Sequence, residues 1–174
     1  MKATISLALL LSGILTISAM AQAVEKKVAL RNVTANPQRY ATMVSKGGLN
    51  ISSREVTDRQ VFTLVDSNGG DLADGDEVQI KYGEGKDTSY WQETDGGQIK
   101  RDRKSSTFKV KKAEKGISLQ APSGKFVSAE YQSDNIPVTD ASDKAAVFEV
   151  VENPTVKEAA PKAASSATTG ETKE

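Results

Sequence analysis

One stretch of the sequence is strongly basic, and its side chains could bind a polyanion. Eight Lys and Arg residues lie between positions 100 and 115, against only Asp102 and Glu114. The preceding stretch, from Asp66 to Asp95, is rich in acidic residues. Because a surface of one charge attracts polymers of the other, we predict a polyanion site here. The alternative is that these residues are only the solvated outward positions of two adjacent strands. The candidate binding residues are Lys100, Arg101, Arg103, Lys104, Lys109, Lys111 and Lys112.

Three aromatic residues form a second candidate set, which would contact a ligand such as a sugar ring. An aromatic side chain combines a large apolar body with, in Tyr and Trp, a polar tip. Tyr82 and Tyr131 fall outside the apolar positions of the repeat described below, which favours exposure. Trp91 is the only tryptophan, and it stands where the other copies of the repeat have Ala41 and Val127. This equivalence favours core packing of Trp91 over ligand stacking.

The composition argues against catalysis. The chain contains no histidine and no cysteine, which removes the Ser-His-Asp and Cys-His arrangements and the commonest transition-metal ligand. The Gly- and Asp-rich residues 66–77 do not have the spacing of a calcium-binding loop, and turn chemistry explains them. We therefore predict a protein that is not an enzyme, with no catalytic residues, no metal site and no cofactor.

The elements that would position these residues are short β-strands. The chain consists of β-branched, aromatic and alternating runs separated by Gly, Asn, Asp and Ser, which is the pattern of strands and turns. Four such runs recur three times, and the final run of each copy begins with phenylalanine. The equivalent runs are 28–30, 78–80 and 117–119; 39–41, 89–91 and 125–127; 49–51, 99–101 and 136–138; and 62–64, 108–110 and 148–150.

Three copies of four strands predict an all-β fold with twelve strands and pseudo-threefold symmetry. One copy cannot bury its apolar face alone, so the three must close on one another. The most economical closed arrangement is a β-trefoil, in which a six-stranded barrel is capped by three hairpins. We therefore predict a β-trefoil over residues 24–152.

A motif in the third copy resembles the fascin-type β-trefoil repeat. It consists of Ser123-Gly124-Lys125-Phe126-Val127-Ser128-Ala129-Glu130, followed later by Val147-Phe148-Glu149-Val150. The first copy, at 38–41 and 62–65, matches more loosely, and the second more loosely still. The resemblance implies the trefoil fold. Because animal fascins bundle actin, it also implies a possible protein-binding role.

Arg101 departs from the repeat. Its equivalents in the other copies, Ile51 and Val138, are apolar, so an arginine occupies a position where the pattern predicts burial. A buried guanidinium without partners would be costly. Three interpretations remain open: its stem lies on the core with the charged group in water, it pairs with Asp102 or Glu93, or it marks an opened site.

Both ends of the chain differ from the middle. Residues 1–23 are predicted to be a bacterial Sec signal peptide, because Lys2 precedes an apolar stretch that ends in Ala21-Gln22-Ala23, an Ala-x-Ala cleavage site. The stretch is short for a membrane span, so we expect none after cleavage. Residues 153–174, rich in Ala, Ser, Thr, Pro, Lys and Glu, are predicted to be a disordered tail.

These observations lead to one function and one alternative. We predict a periplasmic or secreted, non-catalytic binding module for a carbohydrate or another envelope or extracellular polymer. The alternative is a fascin-like module that binds actin or another protein. The net charge of zero argues neither for nor against nucleic acid, and we expect no nucleic-acid partner and a monomer.

Overall fold

The computed structural model describes residues 22–44, 47–130 and 134–157. These residues form twelve β-strands and three short 3-10 turns, without an α-helix. The prediction of an all-β protein is therefore confirmed. The strands are β1 (Val24–Asn32), β2 (Arg39–Met43), β3 (Leu49–Ser53), β4 (Phe62–Asp66), β5 (Glu77–Tyr82), β6 (Ser89–Glu93), β7 (Gln98–Asp102), β8 (Phe108–Ala113), β9 (Gly116–Gln120), β10 (Phe126–Val127), β11 (Ile136–Thr139) and β12 (Phe148–Glu152). The 3-10 turns are Asp58–Gln60, Gly85–Asp87 and Ser142–Lys144.

Alternation of side chains explains why these segments are strands. In β4, Phe62 and Leu64 are buried while Thr63 and Val65 are half-buried, so successive residues face opposite sides of the sheet. β8 repeats the pattern with a buried Phe108 and an exposed neighbour. Each strand therefore gives one face to a common core.

The pairings between strands are antiparallel and close a ring. Nine strands form a closed barrel in the order β1, β4, β5, β6, β7, β11, β10, β9 and β12, after which β12 returns to β1. The other three strands are additional. β8 bridges β5 and β9, β2 pairs with β1, and β3 pairs with β2.

The prediction of a β-trefoil is wrong, and with it the fascin-like assignment. A trefoil needs three equivalent hairpins that cap a separate six-stranded barrel. Here β7 hydrogen-bonds to β11 through the Ile99–Ile136 pair, and β10 joins β9 through the Phe126–Gln120 pair. These pairings bring the β6–β7 and β10–β11 hairpins into the barrel wall. The β2–β3 hairpin pairs only with β1 among the described strands, so threefold symmetry is broken.

The core centres on Trp91. Its side chain is 1% exposed and meets three phenylalanine rings edge-on, with ring centroids 5.6 Å from Phe62, 6.3 Å from Phe108 and 6.5 Å from Phe148. Each of these phenylalanines comes from a different copy of the sequence repeat. Edge-to-face packing of this kind is favourable for aromatic pairs. One indole thus joins the apolar faces of all three copies.

The two predicted end segments lie largely outside the described residues. Residues 1–21 belong to the predicted signal peptide and are among those not described, so export is unsupported by the structure. Strand β1 begins at Val24, the residue after the predicted cleavage site. Of the predicted tail, 158–174 are not described, whereas 153–157 continue from β12.

Among the described residues, no helix has the length and apolarity required to cross a membrane.

Candidate functional site

A polar pocket of about 390 Å³ lies where the β5–β6 connection meets β7. We call it the Arg101 pocket. Charged and hydroxyl side chains dominate its walls, and one glycine from the turn between β2 and β3 completes it. The lining residues are Gly47, Lys86, Asp87, Thr88, Ser89, Arg101, Asp102 and Arg103.

Arg101 is exposed although the strand register pairs it with a buried residue. It lies opposite Trp91 in the β6–β7 ladder, and directly opposite residues project from the same face of a sheet. The indole on that face is buried, whereas Arg101 is exposed. Among the described residues no carboxylate lies within ion-pair distance of it, so the predicted pairing with Asp102 or Glu93 is absent. Arg101 is exposed and lines the pocket, which agrees with its charged group lying in water, and the interpretation as an opened site stays a prediction.

Two neighbours hold the Arg101 side chain in place. Its Nε donates a hydrogen bond to Ser89 Oγ over 2.8 Å, and its guanidinium carbon lies 5.8 Å from the centroid of the Tyr82 ring. The Ser89 hydroxyl in turn donates to the Tyr82 carbonyl over 3.3 Å. Cation–π contact and a fixed hydrogen bond both reduce the freedom of the guanidinium. The pocket thus has a pre-organised cationic donor.

Asp102 is already engaged by its own strand end. Its carboxylate accepts the backbone N–H of Lys104 over 3.2 Å and lies 3.8 Å from Lys100 Nζ. The pKa of Asp102 is lowered, chiefly by the hydrogen bond from the Lys104 N–H and then by that from the Arg103 N–H, with help from the charges of Lys100 and Lys104. Asp87 is the second carboxylate of the pocket, against the three cations Lys86, Arg101 and Arg103.

The predicted basic residues separate into two groups. Lys100, Arg101, Arg103 and Lys104 lie on or just after β7, whereas Lys109, Lys111 and Lys112 lie on β8. The prediction that these two strands are adjacent is wrong, because β7 pairs with β6 and β11 while β8 pairs with β5 and β9.

The β8 lysines have protein partners of their own. Lys111 Nζ lies 3.7 Å from Asp74, which also accepts the backbone N–H of Lys112 over 2.9 Å. Lys109 is exposed and lies opposite Glu77 on β5. This second group therefore faces acidic residues, and it does not line the Arg101 pocket.

The three aromatic candidates differ in their positions in the fold. Trp91 is buried in the core, which agrees with the interpretation that the repeat favoured and removes it from the ligand-contacting set. Tyr82 is half-buried, with its ring centroid 5.9 Å from that of Phe62. Tyr131 lies outside the described residues.

A second and larger cavity, of about 540 Å³, lies on the other side of Tyr82. One wall is formed by residues 153–157, which we call the strap, and we call the cavity the strap pocket. Sequence analysis missed it, because the strap was assigned to the tail and because nothing local links it to β4 and β5. Its lining residues are Lys27, Asp58, Val61, Phe62, Thr63, Tyr82, Gly83, Glu84, Asn153, Pro154 and Val156.

Comparison with known proteins adds no family to this description. No protein-family model matches the chain, and a search of curated proteins finds no significant match. The fascin-type motif at residues 123–130 therefore has no support beyond its own resemblance.

Proposed function

We propose that the protein is a non-catalytic binding module for an acidic polymer, most simply an acidic polysaccharide, and that the Arg101 pocket is where it binds. One observation carries the proposal. Arg101 is exposed and fixed by Ser89 and Tyr82, at a register position where the other hairpins have Ile51 and Val138. A cation held in this way, with no carboxylate partner among the described residues, is suited to bind an external anion.

The surroundings of Arg101 support the same ligand class. Arg103 and Lys86 add two cations, and Thr88 adds a hydroxyl that can hydrogen-bond to a sugar. The two carboxylates of the pocket, Asp87 and Asp102, offset part of this charge, and the lining keeps three cations against two anions. The pocket is open and shallow in the manner of a site for one unit of a polymer.

The test is binding of the full chain to polygalacturonate and to heparin at two salt concentrations. We expect affinity to fall steeply between about 0.01 M and about 0.15 M NaCl, because exposed charges are screened over shorter distances as salt rises. Arg101→Ile, which gives β7 the residue found in β3, should weaken binding by about tenfold or more. Hydrogen bonds to charged groups contribute roughly 1.5–3 kcal/mol each.

Arg54→Ile is the matched control, because Arg54 is exposed and does not line the pocket. It should leave affinity nearly unchanged. Absence of binding to either polymer at both salt concentrations would overturn the proposal and favour a protein partner. Equal losses in the two variants would show that net charge, and not the Arg101 pocket, is responsible.

A further inference from the structure

We propose that the strap pocket is a second subsite of the same binding surface, which takes an uncharged pyranose unit next to the acidic unit held in the Arg101 pocket. This inference rests on the proposed function. It narrows the ligand to an acidic heteropolysaccharide in which charged and uncharged sugar units are neighbours.

The lining of the strap pocket matches the surface of a pyranose ring. A pyranose has an apolar C–H face and hydroxyl groups around its edge. The cavity offers the apolar side chains of Val61 and Tyr82 on the barrel side and Pro154 and Val156 on the strap side, with the buried Phe62 behind them. A small number of polar groups completes it, as is typical of ligand pockets. These polar residues are Lys27, Asp58, Thr63, Glu84 and Asn153.

The strap wall is held at both ends. The Asn153 N–H donates to the Lys27 carbonyl over 2.8 Å, and the Lys157 N–H donates to the Val56 carbonyl over 2.9 Å. The Lys157 ammonium also lies 2.8 Å from the Glu55 carboxylate. A wall fixed in this way is present before a ligand arrives, which lowers the entropy cost of binding.

Val156 on the strap leaves apolar surface in contact with water. It is 39% exposed, more than any other large apolar side chain among the described residues. It borders the strap pocket together with the half-buried Pro154. The apolar face of a sugar on this wall would shield Val156 from water.

The charges of the strap pocket favour an uncharged unit. Lys27 Nζ lies 3.2 Å from the Glu84 carboxylate, so these two side chains neutralise each other. Asp58 is the remaining charged residue in the lining, and it is negative. A carboxylated or sulfated unit would therefore be repelled here and attracted to the Arg101 pocket.

The two pockets flank one short connection. Tyr82 and Ser89 lie opposite each other at the ends of β5 and β6. Gly83 and Glu84 line the strap pocket, whereas Lys86 to Ser89 line the Arg101 pocket. Tyr82 borders the strap pocket, and its ring contacts the guanidinium of Arg101, which lines the Arg101 pocket. Neighbouring units of one chain can thus occupy both.

The test adds three oligosaccharide probes, one at a time, to the ¹⁵N-labelled full chain. Binding is detected as changes in the NMR shifts of backbone amides. The probes are a hyaluronan hexasaccharide, in which uronate and N-acetylglucosamine alternate, an all-acidic galacturonate hexamer, and uncharged chitotetraose. Gly83 and Val156 report on the strap pocket, and Thr88 and Ser89 report on the Arg101 pocket. We expect hyaluronan to shift the amides of both pockets. Galacturonate should shift only Thr88 and Ser89, and chitotetraose only Gly83 and Val156.

Val156→Asp tests the strap pocket without disturbing the core, because the residue is already exposed. We expect it to weaken chitotetraose binding by about tenfold, which corresponds to the loss of one apolar contact, while galacturonate binding is unchanged. Thr155→Asp is the matched control. It places the same charge one residue away, at an exposed position that does not line the pocket.

The outcomes distinguish the two proposals. If galacturonate shifts Thr88 and Ser89 but neither hyaluronan nor chitotetraose shifts Gly83 and Val156, the second subsite is overturned while the proposed function stands. If no acidic probe shifts Thr88 or Ser89, the proposed function fails, and the two-unit site fails with it. Equal effects of Val156→Asp and Thr155→Asp would also overturn the strap pocket as a sugar site.

Discussion

The β2–β3 and β6–β7 hairpins have the same register over three consecutive pairs, beginning at Ala41–Ile51 and Trp91–Arg101, but divide their residues differently between core and surface. In the first, Ala41 lies opposite Ile51, and both are buried, at 0% and 4% exposure. In the second, Trp91 lies opposite Arg101, and only the tryptophan is buried. The same position of a β-ladder thus holds two core residues in one hairpin and one core and one exposed residue in the other.

The size of the inward residue accounts for this difference. Trp91 reaches the phenylalanines of all three copies, so at this position of the ladder β6 alone fills the core, while β7 contributes the buried Ile99 further along. The cross-strand partner of Trp91 is then free to be polar. The β2–β3 hairpin has only an alanine on the matching strand, and Ile51 is needed as well. A large residue on one strand can thereby allow a charged residue at the paired position of the next strand.

The largest effect is expected when the tryptophan is removed. Trp91→Ala should lower the free energy of unfolding by about 3–5 kcal/mol, since it leaves a large cavity between three phenylalanine rings. Urea denaturation would measure the change. Gln92→Ala, the next residue on β6 and half-buried, should cost no more than about 0.5 kcal/mol. Similar costs for the two variants would contradict the central role of Trp91.

Placing an arginine at position 51, where β7 has Arg101, tests the comparison directly. Ile51→Arg should destabilise the protein by about 3 kcal/mol or more, because a charge would enter a buried position without a partner. Ile51→Leu is the control for shape and should cost less than about 1.5 kcal/mol. The comparison would be wrong if Ile51→Arg melted at the temperature of the unmodified protein, as measured by circular dichroism.

The smallest effect concerns Asp102, the residue after Arg101. Its folded-state pKa lies below its usual value of 3.8, so the ionised carboxylate stabilises the folded state. That contribution is present above pH 3.8 and is lost as the pH falls through the lower folded-state pKa. Asp102→Asn should therefore be less stable than the unmodified protein at neutral pH, with the difference shrinking below pH 3.8.

NMR titration of the side-chain carboxyl carbon measures the Asp102 pKa itself. A folded-state value at or above 3.8 would contradict the prediction.

The positions of the strands could be predicted from the sequence, whereas their pairing could not. Alternation of apolar with small or polar residue types is a local property of the sequence, so residues 28–30, 78–80 and 117–119 fall within β1, β5 and β9 as the repeat indicates. Pairing between β7 and β11 depends on backbone N–H and C=O groups, which residues other than proline carry whatever their side chain. The side chains of Ile99 and Ile136 do not specify that β7 pairs with β11. The trefoil prediction failed because it did not include this pairing.

The site could be predicted only in part for a similar reason. Arg101 was recognisable because it breaks the apolar pattern of Ile51 and Val138. Ser89, which holds it, is twelve residues earlier in the chain, and its role depends on the fold. Val156 belongs to a segment with few apolar residues, so its composition indicated a tail while its contacts form a pocket wall.

The pairing of β1 with β12 also has a consequence for how the chain folds. The first and last strands are hydrogen-bonded from Val28–Glu152 to Asn32–Phe148. The ring therefore cannot close until the final strand has been synthesised, and until then β1 presents an open edge. Folds dominated by such distant pairings close in milliseconds to seconds instead of microseconds. The barrel of the nascent chain therefore stays unclosed until translation has passed Glu152, because β12 is the strand that completes it.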